Sequence, residues 1–298
     1  MAAPADILRF AAYHLEAGAH RLYLYLDAET EAFEALKAHP KIRPVLCDAA
    51  HWKKLIGQRP PKHQVRQMLN ATHAYNRRAE VDWLGHIDVD EFLVGPVGEA
   101  LAGLGPDVLT MRVRPMENLG GRHDVFKAWI PPGPGRDPLV QTLYPNYGAH
   151  LKGGFLSHVA GKIFLRTGLE GVKFRIHDAF RGPDKIKQTA EQASLALAHL
   201  HAKDWQTWRA QFDYRLAKGS YRDELSPNKP RDKGGLSMNE LFHYIAETEG
   251  EAGLRAFFAE VAENSTDLRA RLSAHGLLRE HDLRLDAAVA RHFPGGAT

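Results

Sequence analysis

The sequence predicts an α/β protein in which helices alternate with the strands of a mostly parallel sheet. In "RLYLYLD", Leu22, Leu24 and Leu26 alternate with tyrosines, which is the period of a β-strand. The apolar residues of segments 6–17 and 63–79 recur instead at helical spacing. Because helix and strand signals alternate along the first part of the chain, right-handed crossovers are expected to make neighbouring strands parallel.

The predicted elements follow one another in the order helix, strand, helix, strand, helix, strand. Asp6 is a candidate N-cap for the first helix, and Gly18 is placed to end it. A helix over 29–38 and a strand in "KIRPVLC" come next. The helix over 63–79 then leads into a strand in "DWLGHIDVDEFLV", residues 82–94, which carries three acids.

The pattern changes beyond the acids to short β-like runs separated by Gly and Pro, and "IPPGPGRDP" is expected to be a loop that covers a site. Helices are expected to return from about Thr189. Ser237 and Glu240 have the spacing of a capping box that opens a further helix. We therefore predict two domains, an α/β domain over 1–229 and a C-terminal helical appendage over 230–298.

Composition narrows the class of protein. The 298 residues are 44% hydrophobic and 25% charged, as in globular proteins with a sizeable core. The formal charge of +3 gives little support for nucleic-acid binding. Cys47 is the only cysteine, which excludes an internal disulfide and a cysteine-based metal cluster, and we expect it to be buried.

The chain shows no sign of a membrane span or of export. No apolar run approaches the ~20 residues of a membrane helix. The first residues, "MAAPADILRF", lack the basic flank and apolar core of a secretory signal. We therefore expect a cytoplasmic protein, for which peripheral membrane contact remains compatible.

Asp88, Asp90 and Glu91 are the strongest functional signal in the sequence. In a strand, Asp88 and Asp90 would project from one face while Val89 turns to the core. Ligands collect at the carboxyl ends of strands in open α/β sheets. Close carboxylates repel unless a cation lies between them, and oxygen ligands favour Mg²⁺ or Mn²⁺, which also bind phosphates. A solvated surface turn is the alternative.

Two other aspartate motifs can be excluded by spelling. A phosphatase motif, Asp-x-Asp-x-Thr/Val, needs Thr or Val where Phe92 stands. An EF-hand needs an oxygen ligand at Phe92 and glycine at Leu93. Neither motif fits this chain.

Four segments carry a resemblance to a known family: "YHLEAGAHRLYLYLD", "DWLGHIDVDEFLV", "GKIFLR" and "LAHLHAKDWQTW". In that order they resemble bacterial glycosyltransferases related to family 2 that have an Asp-Val-Asp-Glu-Phe motif, and more distantly family 92. The resemblance spans roughly residues 5 to 220. It implies a GT-A fold for the first domain, with a layered sheet and flanking helices, and sugar transfer from a nucleotide-sugar donor to a glycan or lipid-linked acceptor.

The same resemblance implies roles for individual residues. Asp88 and Asp90 would hold Mn²⁺ or Mg²⁺ against the leaving nucleotide, and Asp88 would also contact the donor ribose. Lys162 and Arg166 fall on the family's Lys-Ser-x-x-Arg stretch and would steady phosphates, with a solvated strand edge as the alternative. His199 would complete the metal shell, and His201 is the reserve for that role; a structural histidine is the alternative.

An inverting transfer, which likeness to family 2 favours, needs a carboxylate that takes the acceptor's proton. We favour Asp178, beside His177 in the family-like segment "RIHDAF". Glu91 is a second candidate, but its place beside the metal acids fits orientation of the loop or of a donor hydroxyl better. Glu117 and Asp124 stay open as further candidates.

Two side-chain pairs on predicted helices have less specific patterns. Gln67 and Asn70 are three residues apart, so they share a helix face that could reach the nucleotide. A plain polar face is the alternative. Trp205 and Trp208 are expected to pack between helices rather than form a platform for a sugar.

One part of the family pattern is missing. Relatives have a central strand and a Lys-Asn-Glu-like turn before the helix ending in "YH", whereas only "MAAPAD" precedes that helix here. Either the true start lies upstream, which we favour, or the first strand is absent and donor binding is compromised. The expected function is a metal-dependent glycosyltransferase. A degenerate sugar- or nucleotide-binding protein is the alternative, and a metal-dependent phosphohydrolase is disfavoured by Phe92.

Overall fold

The computed structural model describes residues 2–77 and 80–295, and within them the protein is a mixed α/β structure with several sheets and flanking helices. Contacts divide the chain into two compact units, each discontinuous in sequence. Unit 1 comprises Met1–Arg114, Gly161–Leu197 and Leu283–Thr298, and unit 2 comprises Pro115–Ala160 and Ala198–Asp282. The predicted boundary at 229/230 falls inside unit 2. The division into domains over 1–229 and 230–298 stays a prediction.

The helices and strands are short, and they are numbered along the chain. The helices are α1 (Pro4–Glu16), α2 (Phe33–Ala38), α3 (Ala49–Ile56), α4 (His63–Tyr75), α5 (Val97–Ala102), α6 (Arg136–Leu143), α7 (Trp205–Ala210), α8 (Phe212–Ala217), α9 (Met238–Thr248), α10 (Gly250–Val261), α11 (Thr266–Ala274) and α12 (Leu285–His292). The strands are β1 (Leu22–Leu26), β2 (Ile42–Leu46), β3 (Trp83–Gly85), β4 (Glu91–Val94), β5 (Thr110–Val113), β6 (Pro115–Asn118), β7 (Val125–Ala128), β8 (Lys162–Arg166), β9 (Val172–Phe174), β10 (Ala179–Arg181), β11 (Asp184–Lys185), β12 (Thr189–Glu191), β13 (Ala196–His199) and β14 (Leu278–Glu280). Within the described ranges, none of the helices has the length and apolar character to cross a bilayer.

Unit 1 contains parallel and antiparallel pairings. β1 and β2 are parallel, with Leu22 opposite Ile42 and Leu26 opposite Leu46, as the alternation of elements predicted. A second sheet has the order β12-β5-β8-β3, in which only β12 and β5 are parallel. β9, β10 and β11 form an antiparallel sheet. The prediction of a mostly parallel sheet is therefore wrong. Connections too short for a crossover helix make β9, β10 and β11 antiparallel, and β8 pairs antiparallel with β3 and β5, which are distant in sequence.

Asp88 and Asp90 do not lie on a strand, which corrects the prediction for 82–94. β3 ends at Gly85 and β4 begins at Glu91, and the intervening turn is closed by the Glu91 N–H donating to the Asp88 carbonyl over 3.0 Å. The two-residue alternation used to orient Asp88 and Asp90 does not hold across a turn. Val89, expected in the core, is accordingly partly exposed.

Several predicted boundaries also shift. The first helix begins after Ala3 with Pro4 at its first position, so Asp6 lies in the first turn instead of capping it. The helix over 63–79 ends at Tyr75; its predicted end, Ala79, lies outside the described residues. The helix expected from Thr189 is replaced by β12 and β13, since pairing such as that of β12 with β5 overrides local propensity.

Unit 2 is a small antiparallel sheet with helices. β7 pairs with β6 and with β14, so the three strands lie in the order β14-β7-β6. α9 opens with the predicted capping box, in which Ser237 and Glu240 bond to each other's backbone N–H groups. Most of the predicted appendage lies here, but α12 belongs to unit 1, where it packs against α1.

Candidate functional site

The turn carrying the acids, residues 88–91 and here called the acidic turn, is positioned by the antiparallel pairing of β3 with β8. Trp83 lies opposite Arg166 and Gly85 opposite Phe164. Continuing this register past Gly85 brings the acidic turn to Lys162, the first residue of β8. Pairing of strands distant in sequence therefore places a cation beside the acids.

Both carboxylate oxygens of Asp88 are bonded to side chains. Gln67 donates from Nε2 to Oδ1 over 2.8 Å, and the Lys162 ammonium donates to Oδ2 over 2.7 Å. The Glu91 carboxylate accepts the Asp88 backbone N–H over 2.8 Å and lies 3.5 Å from Lys162 Nζ. These contacts connect α4, the acidic turn and β8 around one ammonium group.

Burial differs within this group. Lys162 and Glu91 are 1% and 0% exposed, whereas the Asp88 side chain is 26% exposed. Burial alone lowers the pKa of Lys162, but the negative charges of Asp88, Glu91 and Asp90 outweigh it and hold that pKa above its usual value. Three carboxylates and one ammonium leave a formal charge of −2, which is what a divalent cation would neutralise.

The residues of the "YH" pair hold the strand that leaves the acidic turn. His14 lies on α1 with Nδ1 2.9 Å from the Phe10 carbonyl, and its Nε2 accepts the Leu93 N–H over 3.4 Å. The His14 ring stacks on Phe92 with the centroids 5.9 Å apart, and the Tyr13 hydroxyl donates to the Leu93 carbonyl over 2.7 Å. Burial lowers the pKa of His14 to about 4, so it is neutral here.

The residue before Lys162 is a glycine that the backbone requires. Gly161 has φ of +72°, and a side chain at this position would collide with the Val113 carbonyl. The Gly161 carbonyl lies 2.8 Å from His177 Nδ1. His177, nominated from the sequence without a role, therefore supports the chain just before Lys162.

Asp178, the favoured base, lies in a separate charged group of unit 1. Its Oδ1 accepts from Arg112 Nη2 at 2.5 Å and from Lys185 Nζ at 2.7 Å. The Asp178 side chain is 28% exposed, whereas Arg112 is nearly buried. The two cations fix the orientation of this carboxylate.

Arg166 is not brought to the acidic turn. It lies at the other end of β8 from Lys162, and its guanidinium is 4.3 Å from the Trp83 ring centroid. Nε donates to the Val108 carbonyl over 3.0 Å and Nη2 to the Gly105 carbonyl over 2.9 Å. These contacts tie β8 to the loop before β5, which is a structural role.

Unit 2 contains the histidines that were predicted as late metal ligands. His199 is buried at the end of β13, and its ring centroid is 5.2 Å from that of His158. His158 was not singled out from the sequence, since a lone histidine in a loop gives no local signal. The reserve candidate, His201, is 3.1 Å from the Tyr221 hydroxyl within the aromatic core, and burial lowers its pKa well below the usual range.

The remaining candidates have structural partners. Glu117 is buried against Lys127, and Asp124 pairs with Arg122 at the surface. Trp208 is fully buried in the core of unit 2, which confirms the prediction that it packs rather than binds sugar.

On the predicted polar face of α4, only Gln67 reaches the acids. Asn70 contacts Cys47 Sγ at 3.4 Å. Cys47 is buried as predicted, and burial raises the pKa of its thiol to about 11. A thiol in that state is inert.

Comparison with known proteins adds nothing to these observations: no protein-family model matches the chain, no curated protein matches it, and no solved structure matches it.

Proposed function

We propose that the chain is a glycosyltransferase of the GT-A type that takes a sugar from a nucleotide-sugar donor and transfers it to a hydroxyl of a glycan or lipid-linked acceptor. The observation that carries the proposal is the acidic turn, in which Gln67 and Lys162 fix Asp88 in a group with a net charge of −2. A solvated surface turn would not need a buried ammonium to hold one of its acids.

The proposed fold is supported by how the sheets of unit 1 are divided. Within the described residues, β1 is an edge strand of the β1–β2 sheet, and β3 is an edge strand of the sheet β12-β5-β8-β3. In the proposed GT-A arrangement, a central strand would pair between these two edges, and none of the strands within residues 2–77 and 80–295 occupies that position. The two sheets would then correspond to the parts of one divided sheet.

The residues of the acidic turn fit a divalent cation. The ligand atoms are carboxylate oxygens, which Mg²⁺ and Mn²⁺ prefer, and the excess charge is of the right size and sign. Asp90 would hold the ion together with Asp88, whose oxygens have lone pairs left over from the hydrogen bonds to Gln67 and Lys162. When bound, it would offset the charge that develops on the departing nucleoside diphosphate.

The chain's own residues would position the donor and accept the proton. The Asp88 carboxylate is held partly exposed and would contact the donor ribose, and Glu91 keeps the turn in shape through the Asp88 N–H. Lys162 holds Asp88 by a charged hydrogen bond and would contribute positive charge near a diphosphate at this edge. Asp178, oriented by Arg112 and Lys185, is the proposed base for the acceptor hydroxyl.

Calorimetric titration of UDP, GDP and their sugars, with and without Mn²⁺, tests the proposal. We expect nucleotide binding that requires Mn²⁺ and that weakens more than about tenfold in Asp90→Ala. Asp124→Ala is the matched control, because it removes a surface carboxylate in unit 2 and should bind as the unaltered protein does. Asp178→Asn should keep nucleotide affinity and lose turnover.

A degenerate binding protein is the second candidate, favoured by one observation. Both oxygens of Asp88 are already bonded within the protein, and an internal ammonium can replace a metal without supporting catalysis. Nucleotide or sugar binding that ignores both Mn²⁺ and Asp90→Ala would favour this candidate. Nucleotide-independent release of phosphate would favour a phosphohydrolase instead.

A further inference from the structure

The net positive charge of the chain is concentrated in one short segment. Residues 172–187 contain five Lys or Arg and two Asp, a formal charge of +3. The whole chain also has a formal charge of +3, so the rest of the sequence is neutral in sum. Such concentration creates a local field that a net charge of this size would not otherwise produce.

This segment folds as the antiparallel sheet β9-β10-β11, which has one covered face. Val172, Phe174 and Ala179 are buried on that face, and Phe174 contacts α4 through Tyr75, whose ring centroid is 6.3 Å away. Because side chains alternate along a strand, Lys173 in β9 and Phe180 in β10 point to the opposite face.

The opposite face, here called the basic face, is built around Phe180. The register places Lys173 and Lys185 directly opposite Phe180, one on each neighbouring strand. The Arg175 guanidinium lies 4.1 Å from the Phe180 ring centroid. All five basic side chains of the segment are exposed, namely those of Lys173, Arg175, Arg181, Lys185 and Lys187. Lys185 also pairs with Asp178.

The cations of the basic face are spread in two dimensions. Lys173 and Lys185 are two strands apart, which corresponds to about 10 Å, and Lys173 and Arg175 are separated by about 7 Å along the chain. A flat array of this kind matches a flat anionic surface. A linear polyanion is bound instead by a groove or track of charge.

We infer that the basic face docks on a bilayer that contains anionic phospholipids. Single-stranded nucleic acid is the less favoured partner, because base stacking needs an open aromatic face and the Arg175 guanidinium covers the ring of Phe180. Docking is electrostatic, since Phe180 is only partly exposed and the charges around it dominate the face. The inference does not depend on the proposed transferase activity.

Flotation of the full chain with vesicles tests this inference, using phosphatidylcholine alone and phosphatidylcholine mixed with phosphatidylglycerol. We expect binding to the mixed vesicles only, and loss of that binding when salt shortens the Debye length. A basic side chain near an anionic bilayer contributes about fivefold to partitioning, so Lys173→Glu with Lys187→Glu should weaken binding by more than about 25-fold.

Lys53→Glu with Lys54→Glu is the matched control, because it changes the charge equally at two exposed positions of α3 in the same unit. Equal thermal unfolding of the two double variants would show that folding is unaffected. Binding lost only in the Lys173/Lys187 variant supports the inference. No binding to mixed vesicles at low salt, equal loss in both variants, or binding to a single-stranded oligonucleotide in place of vesicles would overturn it.

Discussion

Two buried lysines, one in each unit, face carboxylates in very different ways. Lys127 in unit 2 lies 2.9 Å from Glu117, and both side chains are 1% exposed. Lys162 in unit 1 is equally buried but faces the acidic turn, where Asp88 remains partly exposed. The first group is neutral in sum, while the second has a net charge of −2.

The Glu117–Lys127 pair is closed. Glu117 also accepts the backbone N–H groups of Leu156 and Ser157, and Lys127 donates to the Val261 carbonyl over 2.9 Å. Burial raises the pKa of Glu117, but Lys127 and these donors hold it below its usual value. A buried pair whose bonding capacity is used within the protein is a structural device, which removes Glu117 as a candidate base.

The acidic turn is open by comparison. Its three acids face a single lysine, Lys162. One of these acids, Asp88, is held in a fixed orientation and is still partly exposed to solvent. The repulsion between these acids costs free energy unless a bound cation offsets the excess negative charge. Under the proposed function, this difference is the one between a binding site and a structural ion pair, and it can be tested by changing each lysine in turn.

The largest expected effect is that of Lys127→Met on stability. The substitution leaves the Glu117 carboxylate buried without its cation, so the free energy of unfolding should fall by about 3–5 kcal/mol in a urea titration. Adding Glu117→Leu should recover part of this loss, because the pair is then replaced by apolar groups. A single variant as stable as the unaltered protein would contradict the closed pair.

The support under the acidic turn should be sensitive to acid. His14 has a pKa of about 4 in the folded protein against 6.5 ordinarily, so the unfolded chain takes up a proton first as the pH falls. The contribution of neutral His14 to the free energy of unfolding is therefore fully present above pH 6.5. It is lost as the pH falls from 6.5 to 4, which lowers the free energy of unfolding by about 3 kcal/mol.

Urea titrations of the unaltered protein and of His14→Leu across that range would measure the effect. The variant should lose this part of the pH dependence, and His20→Gln, which changes an exposed histidine, should keep it. A pH profile unchanged in His14→Leu would show that His14 is not held neutral beside β4.

Lys162→Met should be less damaging than Lys127→Met and should respond to metal. Asp88 can turn toward water, and the buried Glu91 loses a cation 3.5 Å away but keeps its hydrogen bond from the Asp88 N–H, so we expect a loss of about 2–3 kcal/mol in the free energy of unfolding. Without the ammonium of Lys162, the net charge of the group changes from −2 to −3, so the acidic turn should bind Mn²⁺ more tightly. Mn²⁺ should therefore raise the unfolding temperature more in this variant than in the unaltered protein. Lys127→Met leaves the acidic turn unchanged, so its response to Mn²⁺ should equal that of the unaltered protein, and an equal response in all three proteins would contradict the comparison.

Local patterns predicted much of the fold. Alternating leucines gave β1, helical spacing gave α1 and α4, and Ser237 with Glu240 opened α9 as expected. The sequence predicts one strand across Asp88 and Asp90 because the apolar flanks "WLG" and "EFLV" form two strands, β3 and β4, with a turn between them. Nothing local distinguishes that case from one continuous strand.

The partners in the site depend on contacts between distant segments. Gln67 was expected to face the site, because a helix face can be read from spacing. The contact of Lys162 with Asp88 follows from the register of β3 with β8, and the packing of α12 on α1 joins the two ends of the chain. Registers of that kind follow from tertiary packing and are not encoded in any short segment.

Gln67→Ala provides the finest test of the comparison. The substitution removes one of the two side-chain hydrogen bonds that orient Asp88, so the free energy of unfolding should fall by only about 1 kcal/mol. If the acidic turn is a binding site, nucleotide affinity should fall more than stability does, because a loosened Asp88 is no longer preorganised. Gln141→Ala, at an exposed glutamine of α6 in unit 2, should change neither quantity. Calorimetric titration and urea unfolding of both variants would separate the two roles, since a purely structural Gln67 would change stability and leave affinity alone.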